Sequence, residues 1–321
     1  MPQTESSRPS QQRDAFARFR DVTPPKEGPS CVEPKIFNDY GKLQAVLVAK
    51  TPDPITWFND LVENPIHEHW VGKSKREIES STLATAQHKA FVRFLQLQGI
   101  HVLKEEAPAG REGHQFLFPR DIAAVVGNKV LPARFRYEHR QGETVALDRT
   151  LASDSQLDDS GEYLLEGGDI AVYSNDLVFV GIGPRTNEAG LAHLRDHFPR
   201  ISFHPVYIPE ASGAYHLDTL LSFVNAHVAV AYQQLLDAAT LELLQQKRVE
   251  IVPADTKEWM HCPTNVLAIE QGVVIASSQS ERTNNRLRSI GVQVHELDLS
   301  EILKQGGGPH CLALPVQRVG Y

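Results

Sequence analysis

The chain has 321 residues, 41% of them hydrophobic and 22% charged, with a formal net charge of -8. That length and composition describe a globular protein with one large domain or two small ones and a sizeable core. The acidic balance, with no run rich in lysine and arginine, argues against nucleic acid or a membrane surface as partner and leaves small-molecule chemistry as the default.

In chain order, the first 34 residues are rich in Ser, Gln, Pro and charge and lack the apolar segment of a secretory signal, so they are expected to form a disordered leader. Residues 35–321 are expected to form a single domain. No apolar run reaches the roughly 18 residues needed to span a bilayer. Cys31, Cys262 and Cys311 are odd in number and widely spaced, which fits a reducing compartment and a cytoplasmic location. "LQAVLVAK" reads as a first strand. Thr51 to Ser81 follow as a long unpatterned segment, expected to be a lid or specificity loop. Within it, His67 and His69 are an incomplete ligand set, and no metal or organic cofactor is expected. The helical pattern "TAQHKAFVRFLQLQG" and the strand "IHVLKEE" complete this part.

The rest of the chain repeats. "RDIAAVVGNKVL", "GGDIAVYSNDLVFVG", "HLDTLLSFVNAHVAVA" and "PTNVLAIEQGVVIAS" each place a polar residue before an apolar strand, a tight turn and a returning strand, the pattern of a hairpin. A helical pattern and another strand follow in the later copies: "EAGLAHLRDHF" then "ISFHPVYI", "AATLELLQQKR" then "VEIVPA", "ERTNNRLRSIG" then "VQVHEL". The opening residues Asp121, Asp169, Asp218, Asn265 and Cys311 recur roughly every 46 to 49 positions, as stacked supersecondary units would. The last copy, begun at Cys311, has a strand to spare for the first unit. The expected architecture is an α/β propeller of five strand-turn-strand-helix-strand modules, with the openings converging on one central cleft.

Those openings and their neighbours would gather Asp121, Glu166, Asp169, His216, Asp218 and Cys311, a set suited to thiol nucleophilic catalysis on a cationic substrate. The strings "NDYGKLQAVLV", "FPRD", "LEGGD", "GIGPRTN", "HLDT" and "GGGPHC", in this order from Phe37 to Arg318, resemble the pentein, or guanidine-modifying, superfamily. Its members include arginine deiminase, agmatine deiminase, dimethylarginine dimethylaminohydrolase and glycine amidinotransferase.

The resemblance implies Cys311 as nucleophile, His216 as proton-transfer residue and Glu166 as the carboxylate that orients or assists it. Asp121 and Asp218 would grip the guanidinium, whose fork of N–H donors suits carboxylates, and Asp169 would also bind substrate. Arg185 and Arg140 match positions that hold an α-carboxylate in arginine deiminases; Arg134 and Arg136 could stand in for Arg140. "LEGGD" resembles the hydrolases, which favours water as acceptor, while the stretch after "PRD" also resembles an amidinotransferase. "HLDT" has Asp218 where dimethylarginine hydrolases have lysine, which favours an unsubstituted guanidinium. The expected partner is therefore an arginine-like small molecule, with a homo-oligomer left open. Hydrolysis of the guanidino group through a thiouronium is the leading expectation. The alternatives are amidino transfer, an arginine dihydrolase giving ornithine, and a non-catalytic binding factor. Cys262 reads as an inert thiol, and His310, if on a strand, points away from the side chain of Cys311.

Overall fold

The computed structural model describes residues 32–51, 80–106, 114–147 and 162–319; among these, fourteen strands form five small sheets, accompanied by four helices of two turns or more and several single helical turns. The leader before Val32 and most of the Thr51–Ser81 segment, with His67 and His69, lie outside the described residues. Val32, within the expected leader, is buried in the same core as Ile36.

The first sheet joins β1 (Lys42–Lys50) and β2 (His101–Glu106) across α1 (Ser81–Leu97). Ser80 caps α1 by accepting the Leu83 N–H. The helix buries Ala84, His88, Phe91 and Leu95, the one-face spacing of a 3.6-residue period. The C-terminal strand β14 (Leu314–Val319) lies antiparallel against β1, while β2 is parallel to it. The spare strand read in the sequence thus completes the first sheet.

β3 (Ala123–Val126) and β4 (Lys129–Pro132) form a hairpin with Val126 opposite Lys129. Its two-residue turn, Gly127-Asn128, uses glycine at φ +61°. Three further sheets repeat one plan, an antiparallel hairpin and then a helical crossover to a parallel strand. They are β5 (Ile170–Ser174), β6 (Leu177–Ile182), α2 (Glu188–His197) and β7 (Ser202–Tyr207); β8 (Leu221–Asn225), β9 (Val228–Ala231), α3 (Ala238–Gln246) and β10 (Glu250–Pro253); and β11 (Leu267–Glu270), β12 (Val273–Ser277), α4 (Glu281–Ser289) and β13 (Gln293–Leu297). Asn187 and Asp237 cap α2 and α3 through their side chains. All five sheets carry apolar runs into the interior, with Leu47, Val125, Val178, Val230, Ile275 and Leu314 buried. No helix among the described residues is long and apolar enough to cross a membrane.

The hairpins do not begin directly at their polar residues. Single helical turns, Pro119–Ile122, Gly167–Asp169 and Leu217–Thr219, stand before β3, β5 and β8 and carry Asp121, Asp169 and Asp218. These turns pack on one another. A side chain at Gly167 would run into the carbonyl oxygens of Arg120 and Ala123, so glycine is what lets the second turn seat on the first. We expect Gly167→Ala to destabilise the fold by about 3 kcal/mol or more, since rigid backbone must move. Gly99→Ala, where no atom lies within 4 Å of the added carbon and only the φ of +76° is unfavourable, should cost about 1 kcal/mol. Urea unfolding of both variants checks the difference.

Candidate active site

Glu166 and His216 each occupy the extended residue that caps a helical turn, which turns both side chains toward the same interior point. The His216 Nε2–H donates to Glu166 Oε2 at 2.9 Å. On its other side the ring presents Nδ1 to Asp121 Oδ1 at 3.6 Å. Arg185, just after β6, donates from Nη1 to the same Glu166 Oε2 at 3.0 Å, and its guanidinium lies over the Tyr137 ring, 4.7 Å from the centroid. Glu166 and His216 are both 0% exposed. Burial alone would raise the Glu166 pKa, but the Arg185 charge and the His216 hydrogen bond outweigh it and hold it at about 2. Burial would likewise discharge the ring, yet Asp121, Asp169 and Glu166 together push His216 up to about 9. The pair is an imidazolium on a carboxylate across neutral pH.

The thiol end lies beside it. Cys311 Sγ–H donates to Asp218 Oδ2 at 3.4 Å, and the same oxygen faces His310 Nδ1 at 2.9 Å. Asn265 Nδ2–H donates to Cys311 Sγ at 3.1 Å. Burial, then the charges of Asp218 and Asp121, push the Cys311 thiol well above its ordinary pKa, so it is neutral here. Burial is overcome for Asp218, whose pKa is lowered chiefly by the hydrogen bond and charge of His310. Among the buried atoms with no hydrogen-bond partner in the protein are Asp121 Oδ1, Asp169 Oδ2, Asp218 Oδ1, Arg185 Nε and His216 Nδ1. Each belongs to a residue whose other atoms are tied down.

The structure therefore gathers Cys311, His216, Glu166, Asp121, Asp218, Arg185 and Arg140 at one place, and it gives Asp169, Arg140 and His310 protein partners that the sequence did not show. Asp169 is 0% exposed; its Oδ1 accepts the Leu217 N–H at 2.9 Å and burial raises its pKa to about 7. It braces the turn that carries His216 and Asp218. Arg140 reaches the site, but its donors are engaged: Nη1 with Asp121 Oδ2 at 2.9 Å, Nε and Nη2 with the two oxygens of Glu143 at 3.1 and 2.9 Å. His310 does not point away from the thiol, because Pro309 to Leu312 form a turn and the strand begins only at Leu314.

Glu143 was missed because it follows the motif in an irregular stretch; its i,i+3 spacing from Arg140 was the available signal. Tyr215, whose hydroxyl donates to the Gly306 carbonyl and whose ring is 5.8 Å from the Arg185 guanidinium, stood unread beside His216. Arg120, buried in "FPRD", receives no ligand-facing role: its backbone N–H donates to the Cys311 carbonyl and its side chain to that of Ile170.

The family described as eukaryotic N,N dimethylarginine dimethylhydrolase matches residues 55–318 of this chain. An uncharacterized protein of Bacillus subtilis, YkgA, is 28% identical over 287 residues, 87% of this chain and 94% of that protein. The arginine deiminase of Listeria monocytogenes is 29% identical over 248 residues, 63% of this chain; the match spans only 60% of the deiminase. Among solved structures, SxtG, an amidinotransferase of the saxitoxin pathway from Microseira wollei, superposes with a TM-score of 0.73 at 18% identity, covering 90% of this chain and 98% of that one, a likeness of fold.

The charge state of His216 is directly testable. Its folded pKa, about 9, lies above the ordinary 6.5, so the stability it contributes is complete below about pH 6.5 and is lost as pH rises through 9. NMR titration of the ring should show a midpoint near 9. In Asp121→Asn it should move down, because the largest favourable charge is gone. A wild-type midpoint at 6.5 would mean that the ring is not held as a cation.

Proposed function

The chain belongs to the N,N dimethylarginine dimethylhydrolase family and, with it, to the pentein superfamily of guanidine-modifying proteins, and from that premise we propose that it is a thiol-dependent hydrolase of the guanidino group of arginine or a close derivative. The observation that carries the reading is the pair of carboxylates Asp121 and Asp218, each with one buried oxygen that has no hydrogen-bond partner in the protein, the second carboxylate also meeting the Cys311 sulfur through its other oxygen. Two buried carboxylate oxygens without donors are the complement of a guanidinium, a rigid fork of N–H groups carrying positive charge. In this reading the five sheets are modules of one domain set around that cleft.

The steps follow from the charges. His216 is already protonated, so it cannot take the thiol's proton; the arriving cation offsets Asp218 and Asp121 and lets Cys311 ionise, its proton leaving to solvent, where the ammonia released later takes one up as ammonium. The thiolate adds to the guanidinium carbon, forming a C–S bond and a tetrahedral adduct. His216 protonates the departing nitrogen, the C–N bond breaks and ammonia leaves. The thiouronium on Cys311 then meets water, which gives a proton to the now neutral His216 as its oxygen bonds to carbon. The C–S bond breaks, giving a citrulline-type ureido product and the free thiol. Glu166 keeps the imidazole oriented throughout, and Arg185 keeps Glu166 ionised. Arg185 Nε, buried without a protein partner, is the donor we assign to the substrate carboxylate.

Asp218 favours an unsubstituted guanidinium, because a doubly methylated nitrogen has no N–H left to offer its Oδ1. We expect arginine turnover to citrulline and ammonia, read by mass spectrometry, with kcat/KM roughly a thousandfold above that for asymmetric dimethylarginine. Cys311→Ala should retain less than about one thousandth of the activity. An amidino product that appears only when an amine is added would identify a transferase, and ornithine would identify a second hydrolytic step. Efficient turnover by the alanine variant would end the covalent mechanism.

The substrate's carboxylate gives a second test. Arg185→Ala should lower kcat/KM for both arginine and agmatine by freeing Glu166. The loss for arginine should be larger by about 2 kcal/mol, since only arginine carries a carboxylate to leave unpaired. Equal losses would confine Arg185 to holding Glu166.

A further inference from the structure

We propose that Asn265 is a further catalytic residue, whose amide builds the turn that presents Cys311 and donates a hydrogen bond to its sulfur as the thiolate forms. The inference rests on the reading of Cys311 as nucleophile, and the geometry around the amide supplies the rest.

Asn265 lies on the segment before β11 and is 0% exposed. Its Oδ1 accepts three backbone N–H groups of the nucleophile turn: Gly308 at 3.1 Å, His310 at 3.0 Å and Cys311 at 3.1 Å. Backbone N–H groups can only donate, so the end of the amide facing them must be the oxygen. The NH2 end is thereby forced toward the sulfur, 3.1 Å away, with the Asp218 carbonyl at 3.4 Å as a weaker second acceptor. The orientation is fixed by the turn and does not depend on the thiol's protonation state. The same arrangement accounts for a glycine at 308: an added side-chain carbon there would stand 2.9 Å from Asn265 Oδ1 and 3.2 Å from its Cβ.

The electrostatic need is equally specific. Asp218 and Asp121 both stand against ionisation of the thiol, while the Asn265 hydrogen bond favours it. A preorganised N–H dipole aimed at developing negative charge in a water-poor site stabilises it without reorganisation. Asn265 thus lets the carboxylates needed for the guanidinium sit next to a nucleophile that must become an anion.

Asn265→Asp is the decisive variant. Aspartate can keep an oxygen on the turn but puts a second, negative oxygen where the NH2 met the sulfur. We expect the Cys311 thiolate absorbance, measured against Cys311→Ser without substrate, to rise at a pH at least one unit higher than in wild type, a tenfold or greater loss of thiolate at fixed pH. The unchanged protein provides a second readout. The side-chain amide 15N resonance of Asn265 should titrate with the Cys311 thiol and should be flat in Cys311→Ser. An unchanged thiol titration in a folded Asn265→Asp protein overturns the proposal, as does an amide resonance that ignores the thiol in wild type. Neither measurement uses a guanidino compound. Absence of turnover on every such compound, with the thiol shift intact, would therefore count against the hydrolase reading and leave the Asn265 role standing.

Discussion

A carboxylate taken out of water is tolerated only where cations or donors meet it, and the site is arranged under that constraint. Glu166, 0% exposed, is met on one oxygen by both His216 and Arg185. Arg185 could not serve if its guanidinium were free to swing, and the ring of Tyr137 against its face limits it. The imidazole is confined in turn, since an added carbon at Gly168 would lie 2.7 Å from the His216 ring. Glycine at that position lets backbone and ring touch. Asp121 and Glu143 are compensated the same way, on Arg140, whose own burial is acceptable because both acids engage it.

These pairings bind sheet to sheet. The His216–Glu166 contact joins residues 50 positions apart, Cys311–Asn265 joins residues 46 apart and Cys311–Asp218 residues 93 apart. No single hairpin contains a working part of the site. Each contributes one or two polar side chains from the segment that precedes its first strand, and only the assembled sheets bring them within hydrogen-bond reach. The closing strand has the same character. Arg318 on β14 donates to the carbonyls of Gly41, ahead of β1, and Ala268 on β11, so the chain's end holds two sheets together while its preceding turn carries Cys311.

The repeat makes much of this legible in the sequence. Apolar strands, two-residue turns and the recurrent polar opening are local patterns, and they led to the hairpins, to the strand that completes the first sheet and to the set of side chains that meet. What escaped was partner choice. Arg140 was assigned to a ligand, but with Glu143 three residues on and Asp121 buried nearby, its guanidinium has protein acids to satisfy first. Asp169 occupies the same kind of opening as Asp121 and Asp218, yet its carboxylate turns back onto the Leu217 N–H. Opening position marks where a side chain starts, while depth in the fold decides what it faces. For His310 the condition failed: residues 309–312 form a turn, and the alternation of a strand does not apply there.

The site also contains an opposition of charges that bears on how the proposed nucleophile is kept. Asp121 and Asp218 would attract a guanidinium, but without one they act on the nearest ionisable group, the buried Cys311 thiol, and oppose its ionisation. Because the thiolate is the form that oxidises and alkylates, the carboxylates that would select the substrate also hold the sulfur inert until a cation neutralises them. His216 cannot undo this alone, for it is itself held as a cation by Asp121, Asp169 and Glu166 and has no free site for the thiol's proton. In the proposed reaction the substrate's positive charge is thus the missing member of the cluster: it pairs the unpartnered carboxylate oxygens, releases the thiolate and supplies the electrophilic carbon. Reactivity then depends on a compound that brings both the charge and the carbon, a stricter condition than fitting the cleft.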